Sequence, residues 1–313
     1  RLVYFAMRFS KPFKSYGCVN YDGPQVYRGF WRKFDQTHDF PELAGKKLRM
    51  YFDFDMAKDE AIEVQMALSP VSTNGALYNL GSESSGKPFD QLRSEARSKW
   101  EKELNKISMS GSDADKVNFY TALYHTYLSP IIYQDGDGKY RGLDQNIYQA
   151  KGFKNYTIFS LWDTYRALHP WFNIVQPTRN QDMIRSMLAH YQQSAMHMLP
   201  VWSHYANENW CMIGYHSVSV IADAVAKGVY KGNINEVLDA CVQTARNRRY
   251  DGLSEYMEKG YISEDKSSSS VSKVLEYAYD DWCIMTLAKA VDRYDIMKEF
   301  SERSRNFSKV FDP

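Results

Sequence analysis

Acidic, basic and aromatic side chains stand together in the segment FSLWDTYRALHP, residues 159–170. Asp163 follows Trp162 directly, and Arg166 comes three residues later. Carboxylate and guanidinium groups form strong hydrogen bonds with hydroxyl groups, and an aromatic ring presents an apolar face to the C–H groups of a sugar. Two interpretations stay open. Asp163 is either a structural acid, which caps a helix or pairs with Arg166, or a polar group in an aromatic-lined cleft.

Three further segments gather polar and aromatic side chains in a similar way. They are VWSHYANENWCMIGYH at residues 201–216, a polar Gly- and Ser-rich loop at residues 250–273, and LEYAYDDWC at residues 275–283. The side chains in them that could contribute to a site are Glu208, Cys211, His216, Glu276, Asp280 and Asp281. Glu276 and Asp280 are four residues apart, which places them on one face of a predicted helix.

Acids in otherwise apolar sequence need an explanation, because burying a charge is costly unless the charge is paired or used. For any one of these acids a structural role is the preferred interpretation, for example an ion pair between Glu276 and Lys273. Four such clusters in one helical region nevertheless favour a shared polar cleft. A cleft that combines aromatic rings with carboxylates suits carbohydrate chemistry.

The composition and the motifs argue against several other functions. The net charge is +1 without a long run of one sign, so the chain has no electrostatic footprint for nucleic acid. No stretch approaches the roughly 20 apolar residues of a membrane span. The chain lacks an HExxH zinc motif, a GxSxG elbow, a Walker A loop and a strand-anchored GxGxxG. DGDGKY, residues 135–140, lacks the closing Glu of an EF-hand and is better explained as a β-turn.

The elements that must position these segments change in character along the chain. KLRMYFDFDM, residues 47–56, and AIEVQMALS, residues 61–69, alternate strictly, which predicts strands with one buried face in an antiparallel sandwich layer. Beyond residue 85 the apolar residues recur at helical spacing, and no comparable strand pattern alternates with them. We therefore expect an α+β protein of several domains, with a β-layer over residues 1–80, a linker helix over residues 81–110 and an all-helical unit over residues 111–313.

The residues at both ends of the chain indicate that it is a piece of a longer protein. The chain begins without Met in a strand-like segment, RLVYFAMRF, and stops at NFSKVFDP just after a helical pattern. We therefore expect a fragment of a longer protein that lacks both ends. No signal peptide is visible, but in such a fragment its absence says nothing about the compartment.

Four motifs together resemble those of glycoside hydrolase family 92. They are FYTALYHTYLSP, LWDTYRALHP, NENWCMIGYHSVSVIADA and SVSKVLEYAYDDWC. The resemblance runs in order and in register from about Tyr4 to Pro313. It implies a calcium-dependent, exo-acting α-mannosidase that inverts the anomeric configuration. The implied fold is part of an N-terminal antiparallel β-sandwich followed by the first part of an (α/α)6 catalytic barrel, which agrees with the β-then-α division.

The resemblance also implies which residues contact the sugar. Trp162, Asp163 and Arg166 match the LWDT(F/Y)R motif of the cleft that holds the terminal mannose. Asp163 would bind sugar hydroxyls, Trp162 would pack against the sugar ring, and Arg166 would bind the sugar or brace Asp163. Glu208 and Cys211 match the NExxCMIGYH stretch, which in the family also lies near the active site.

Other matched positions are implied to support the site. His216, Glu276, Asp280 and Asp281 match the family pattern, and we expect them to hold the sugar-binding residues in place or to stabilise the fold. Asn209 stands where the family usually has Thr, which changes the local hydrogen bonding but leaves the neighbouring acid.

The residues that perform the reaction are expected elsewhere. In the family the general acid and the general base lie in motifs that follow the VFDP segment, so by resemblance both catalytic residues lie beyond Pro313. The resemblance implies a Ca²⁺ cofactor with its main ligands outside this chain, and we identify no metal ligand within it. The implied substrates are α-mannoside glycans of the N-glycan or mannan type, with α-1,2 or related linkages. The implied location is secreted or periplasmic.

One alternative follows from the missing catalytic carboxylates. The chain could be a non-catalytic carbohydrate-binding protein, or an inactive fragment, built on the same cleft. A helical scaffold whose acids are all paired structurally is a further alternative.

Overall fold

The computed structural model describes residues 2–20, 46–84 and 86–311. The strands are β1 (Tyr4–Phe9), β2 (Ser15–Asn20), β3 (Leu48–Asp53), β4 (Val64–Ser69), β5 (Ile131–Ile132), β6 (Lys139–Arg141), β7 (Ile147–Gln149) and β8 (Tyr156–Thr157). The helices are α1 (Thr73–Ser84), α2 (Phe89–Leu104), α3 (Asp113–Thr126), α4 (Leu161–Thr164), α5 (Leu168–Val175), α6 (Pro177–Gln193), α7 (Ser217–Ala226), α8 (Ile234–Ala245), α9 (Leu253–Lys259), α10 (Ser270–Ala290) and α11 (Tyr294–Arg303). A 3₁₀ helix follows at Ser304–Val310.

The N-terminal strands form two antiparallel pairs, β1 with β4 and β2 with β3. α1 packs on the β1–β4 pair, where Ala76 and Leu80 are buried against Ala6. The small side chains on this face let the helix approach the strands closely. The strands that the alternating pattern predicts are thus present, while the sandwich itself stays a prediction.

The apolar alternation in β4 does not mark the buried face. Val64 and Met66 are 55% and 60% exposed, because α1 covers the opposite face of the pair, which carries Ala6. Met50 in β3 is likewise 54% exposed. The expectation that these side chains are buried is therefore wrong for the part of the chain that the structure describes.

The predicted linker helix corresponds to α2, which is attached to the helical region from outside. None of its side chains is fully buried. Near its end, Glu103 accepts hydrogen bonds of 2.6 Å from Gln176 and from Arg179, where α6 begins. The predicted boundary at residue 80 falls inside α1, and the division into domains stays a prediction.

The helical region is built around α10, a helix of 21 residues that packs against α7, α8 and α11. Tyr277, Ile284 and Leu287 of α10 are fully buried in a large apolar core. On the same helix Asp280 and Asp281 are fully buried and Glu276 is partly buried, so each of these acids needs a partner. Among the helices that the structure describes, none has the length and hydropathy that crossing a bilayer would require.

Candidate functional site

The LWDT segment forms α4, a single helical turn that is fastened to the loop after α6. The N–H groups of Phe159 and Leu161 donate to the carbonyls of Ser203 and Val201 at 3.0 and 3.3 Å. Leu161 is itself buried in the apolar core. Two sequence-distant segments that were predicted to share a cleft are therefore joined through their backbones.

Asp163 has neither of the structural roles considered for it. Its carboxylate is exposed and has no hydrogen-bond or ion-pair partner among residues 2–20, 46–84 and 86–311. The nearby guanidinium of Arg166 is directed elsewhere, with Nη2 3.2 Å from Oε1 of Glu276 and Nε donating to the carbonyl of Trp162 at 3.1 Å. Arg166 therefore does not brace Asp163, and the carboxylate is available to a ligand.

The aromatic rings of the same segment lie against the Arg166 guanidinium. The Cζ atom of Arg166 lies 5.1 Å from the ring centre of Trp162 and 4.9 Å from that of Tyr165, which are cation–π distances. The indole Nε1 of Trp162 is shielded from solvent and has no acceptor in the described part of the chain. The segment thus presents an acceptor at Asp163 and an unsatisfied donor at Trp162.

Glu276, His216 and Asp280 form one chain of contacts behind the segment. Nδ1 of His216 lies 2.9 Å from Oδ1 of Asp280 in a hydrogen bond. Its Nε2 lies 2.9 Å from Oε2 of Glu276, outside good hydrogen-bond alignment, so this contact is an ion pair. The prediction that Glu276 and Asp280 share a helix face is confirmed. The suggested pair of Glu276 with Lys273 is wrong, because that lysine binds Asp251 at 2.6 Å.

His216 is buried and charged. Burial alone lowers the pKa of an imidazole, but the carboxylates of Asp280 and Glu276 outweigh burial and raise the pKa of His216 to about 9. Its ring also stacks on Tyr165, with 4.0 Å between ring centres, and the Tyr165 hydroxyl donates to Glu276 at 3.2 Å. Tyr165 stands inside the LWDTYR motif, yet composition alone does not reveal this contact.

Asp281 belongs to a separate, fully buried cluster. Its carboxylate accepts hydrogen bonds from the hydroxyls of Tyr215 and Tyr256 at 2.7 and 2.9 Å and from Nε of Arg303 at 3.0 Å. Burial raises the pKa of Asp281 to about 6, although Arg303 and the two hydroxyls act in the opposite direction. This acid stabilises the core, and among the described residues it forms no hydrogen bond or ion pair with the LWDTYR segment.

Glu208 organises the backbone of the loop at residues 201–216. Its Oε1 accepts from the N–H groups of Trp202 and Trp210 at 2.8 and 3.0 Å, and its Oε2 accepts from Val201 at 3.1 Å. Burial raises the pKa of Glu208, while these N–H groups favour the ionised form. Asn209, at the position where Thr is usual, donates from its side chain to the carbonyl of Trp202 at 3.0 Å.

The same loop contains an unusual number of residues in left-handed backbone conformations. Tyr205, Ala206, Trp210 and Met212 have φ values of 48°, 57°, 51° and 64°. Such conformations cost free energy in residues other than glycine and persist only where the surroundings enforce them. The Glu208 carboxylate and the bonds to α4 supply that enforcement. Cys211 lies in this strained stretch as an exposed free thiol.

Other features of the described residues lie apart from these groups. A cavity of about 660 Å³ is lined by residues of α2, β5 and the start of α6, and none of the predicted site residues lines it.

A calcium ion would need several free oxygen ligands, but Glu208, Glu276, Asp280 and Asp281 are already bonded. In the described ranges, no three His, Cys, Asp or Glu side chains form a group that could hold a metal ion. The acids named above are therefore not arranged as a calcium site by themselves.

Residues 75–313 match the model of the glycosyl hydrolase family 92 catalytic domain. The chain belongs to glycoside hydrolase family 92. The solved structure of a family 92 α-mannosidase of Bacteroides thetaiotaomicron in complex with mannoimidazole is 46% identical, with a TM-score of 0.93, and the match covers 99% of this chain and 40% of that one. A family 92 inverting mannosidase of the same organism is 27% identical, with a TM-score of 0.88 and coverage of 99% and 42%.

A further relative extends this similarity. An uncharacterized secreted glycosidase of Arthroderma benhamiae is 25% identical over 272 residues, which is 80% of this chain and 30% of the relative. The chain therefore spans less than half the length of these relatives. Family 92 membership confirms the resemblance drawn from the four motifs, and the solved relatives share its mixed strand and helix fold.

Proposed function

We propose that the whole protein is an exo-acting α-mannosidase that removes terminal mannose from glycans with inversion of configuration. Its family membership and the two similar mannosidases support the reaction class. The observation that carries the assignment of the site is the Asp163 carboxylate, which is exposed, without a partner in the described residues, and adjacent to Trp162.

In this proposal the LWDTYR segment recognises the terminal mannose. Asp163 accepts hydrogen bonds from sugar hydroxyls, the Trp162 ring covers an apolar face of the pyranose, and the remaining N–H groups of Arg166 donate to sugar oxygens. Glu208 acts by holding the strained loop that carries Cys211 next to α4. The LWDTYR segment therefore binds and orients the glycone, and Glu208 supports that segment through the loop.

The proton transfers are assigned to other residues. An inverting glycosidase uses one carboxylic acid to protonate the leaving oxygen and one carboxylate to activate water, about 6.5–9.5 Å apart. Glu276, Asp280 and Asp281 each contact a cation and are poorly suited to either task. We propose that the general acid and base come from the rest of the whole protein, after Pro313 in the family order.

A calcium requirement is also part of the proposal, on the basis of the family resemblance. Its ligands would have to come mainly from outside the described residues. The proposed substrates are α-mannosides of N-glycan or mannan type with α-1,2 or related linkages. The proposed location is secreted or periplasmic, which the description of the Arthroderma benhamiae relative as secreted supports.

The experiment is an assay of the whole protein on a panel of α-linked mannobioses, with the released anomer followed by proton NMR. We expect free β-mannose as the first product, and loss of activity in EDTA that Ca²⁺ restores. Release of the α-anomer would contradict inversion, and cleavage of a different glycoside would contradict the substrate. Mannoside binding without any hydrolysis would instead support the carbohydrate-binding alternative.

A further inference from the structure

Arg166 forms its ion pair with a distant acid and not with the acid that is close to it in sequence. Asp163 lies three residues earlier and is the acid closest to Arg166 along the chain. The guanidinium nevertheless pairs with Glu276, which is 110 residues away in sequence, and leaves Asp163 without a partner in the described residues. Asp163 and Glu276 are thus alternative partners for the Arg166 guanidinium, and the ion pair forms with Glu276.

The Glu276 carboxylate is fixed by several contacts, which favour its ion pair with Arg166. Its Oε2 contacts Nε2 of His216 at 2.9 Å and accepts from the Tyr165 hydroxyl at 3.2 Å, which leaves Oε1 for Arg166. The Glu276 side chain is only 16% exposed, whereas Asp163 is exposed. Its carboxylate is thus a fixed anion, and solvent screens it less than it would a surface acid.

The charges of the cluster balance without Asp163. Glu276 and Asp280 carry two negative charges, and the protonated His216 and Arg166 carry two positive charges. Asp163 is the additional carboxylate beside this neutral group. An acid that keeps its negative charge and its free lone pairs is a strong acceptor for hydroxyl groups.

We propose that Glu276 is a positioning residue that keeps the sugar-binding carboxylate of Asp163 free by holding Arg166 away from it. When this anion is removed, Arg166 is released to pair with Asp163, the acid nearest to it in sequence, and masks its carboxylate. The inference rests on the proposed role of Asp163 in mannose binding. It assigns Glu276 no contact with the substrate.

Two variants of the whole protein test the positioning role. Glu276→Gln removes the charge, and Glu276→Asp keeps an anion beside His216 but shortens the reach to Arg166, which protects the measurement if the first variant folds poorly. For both we expect a KM for α-mannosides that is roughly ten- to hundredfold higher, with a smaller change in kcat, because a charge-assisted hydrogen bond to the glycone is lost. The matched control is Glu258→Gln, which breaks an exposed ion pair with Arg248 and should leave both constants unchanged.

A double-mutant cycle separates positioning from a general loss of structure. If Glu276 acts through Asp163, then Glu276→Gln adds less than about twofold to the KM of Asp163→Asn, since the carboxylate that Arg166 would mask is already gone. Fully additive effects would overturn the proposal. So would an unchanged KM in both Glu276 variants when the wild type hydrolyses mannosides.

A crystal structure of Glu276→Gln tests the partner exchange without any substrate. We expect the Arg166 guanidinium within 4 Å of the Asp163 carboxylate, the usual limit for an ion pair. A guanidinium that stays over the Trp162 ring would contradict the proposal. Arg166 could pair with Asp163 in this variant while the wild type does not bind mannosides. In that case the proposed function is wrong, and the role of Glu276 in positioning Arg166 still stands.

Discussion

Replacing Glu208 by Gln tests how the loop at residues 201–216 is held in its strained conformation. The carboxylate accepts three backbone hydrogen bonds, two at Oε1 from Trp202 and Trp210 and one at Oε2 from Val201. A glutamine has nearly the same shape but only one accepting oxygen. Its NH₂ group would therefore face at least one N–H donor of the loop.

The expected change in the free energy of unfolding follows from the hydrogen bonds that Glu208→Gln removes. A hydrogen bond to a charged group contributes about 1.5–3 kcal/mol to stability. If the oxygen side of glutamine keeps the pair at Trp202 and Trp210, one bond to Val201 is lost outright. We expect the free energy of unfolding to fall by about 1.5–3 kcal/mol, together with faster proteolysis near Tyr205 and Ala206, whose φ values are positive.

Urea denaturation and limited proteolysis of the whole protein measure both effects. Glu258→Gln is the matched control, because its exposed ion pair with Arg248 is worth at most about 1 kcal/mol. The reasoning fails if Glu208→Gln is as stable as this control while its KM for mannosides rises. That result would mean that Glu208 contacts the sugar directly and does not act by holding the loop.

Two further predictions concern the buried charges. Asp281→Ala should lower the free energy of unfolding by about 3–5 kcal/mol, because it removes the buried counter-ion of Arg303 and leaves it the longer contact with Glu299 at 3.6 Å, and adding Arg303→Met should recover part of the loss in urea denaturation. An effect below about 1 kcal/mol for Asp281→Ala would show that the pair is dispensable. The pKa of His216 in the fold, about 9, lies above its ordinary value of 6.5, so the protonated ring stabilises the fold. This contribution is complete below pH 6.5 and disappears as the pH rises through 9. Unfolding measured between pH 6 and 10 should therefore show a decline that is absent in His216→Gln, and an identical decline in both proteins would contradict the assignment.

The order and type of the main elements could be predicted from the sequence, because long periodic segments depend mainly on local pattern. The alternation in residues 47–56 and 61–69 predicted β3 and β4, and the stripe around Trp100 predicted α2. The buried face of β4 could not be predicted, since Val64 and Met66 are more apolar than the alanines that α1 covers. The short strands β5–β8 were missed because two or three residues cannot display a period.

The site was predictable in its residues and only partly in its contacts. The acids of LWDTYR and LEYAYDDWC were identified by their rarity in apolar sequence, and the spacing of Glu276 and Asp280 correctly placed both on one helix face. Which cation each acid binds depends on tertiary packing, so the suggested Glu276–Lys273 pair was wrong. Arg303 was missed as the partner of Asp281 because no local pattern links positions 22 residues apart.

The most direct test of the account is the dissociation constant of mannoimidazole, measured by calorimetry for the whole protein and for its Asp163→Ala variant. Mannoimidazole is the ligand present in the similar α-mannosidase structure. If the Asp163 carboxylate binds sugar hydroxyls, its loss removes one or more charge-assisted hydrogen bonds, each worth about 1.5–3 kcal/mol. We predict binding that is weaker by roughly tenfold or more, with an unchanged melting temperature. Equal affinity in the two proteins would contradict the claim that this carboxylate recognises mannose.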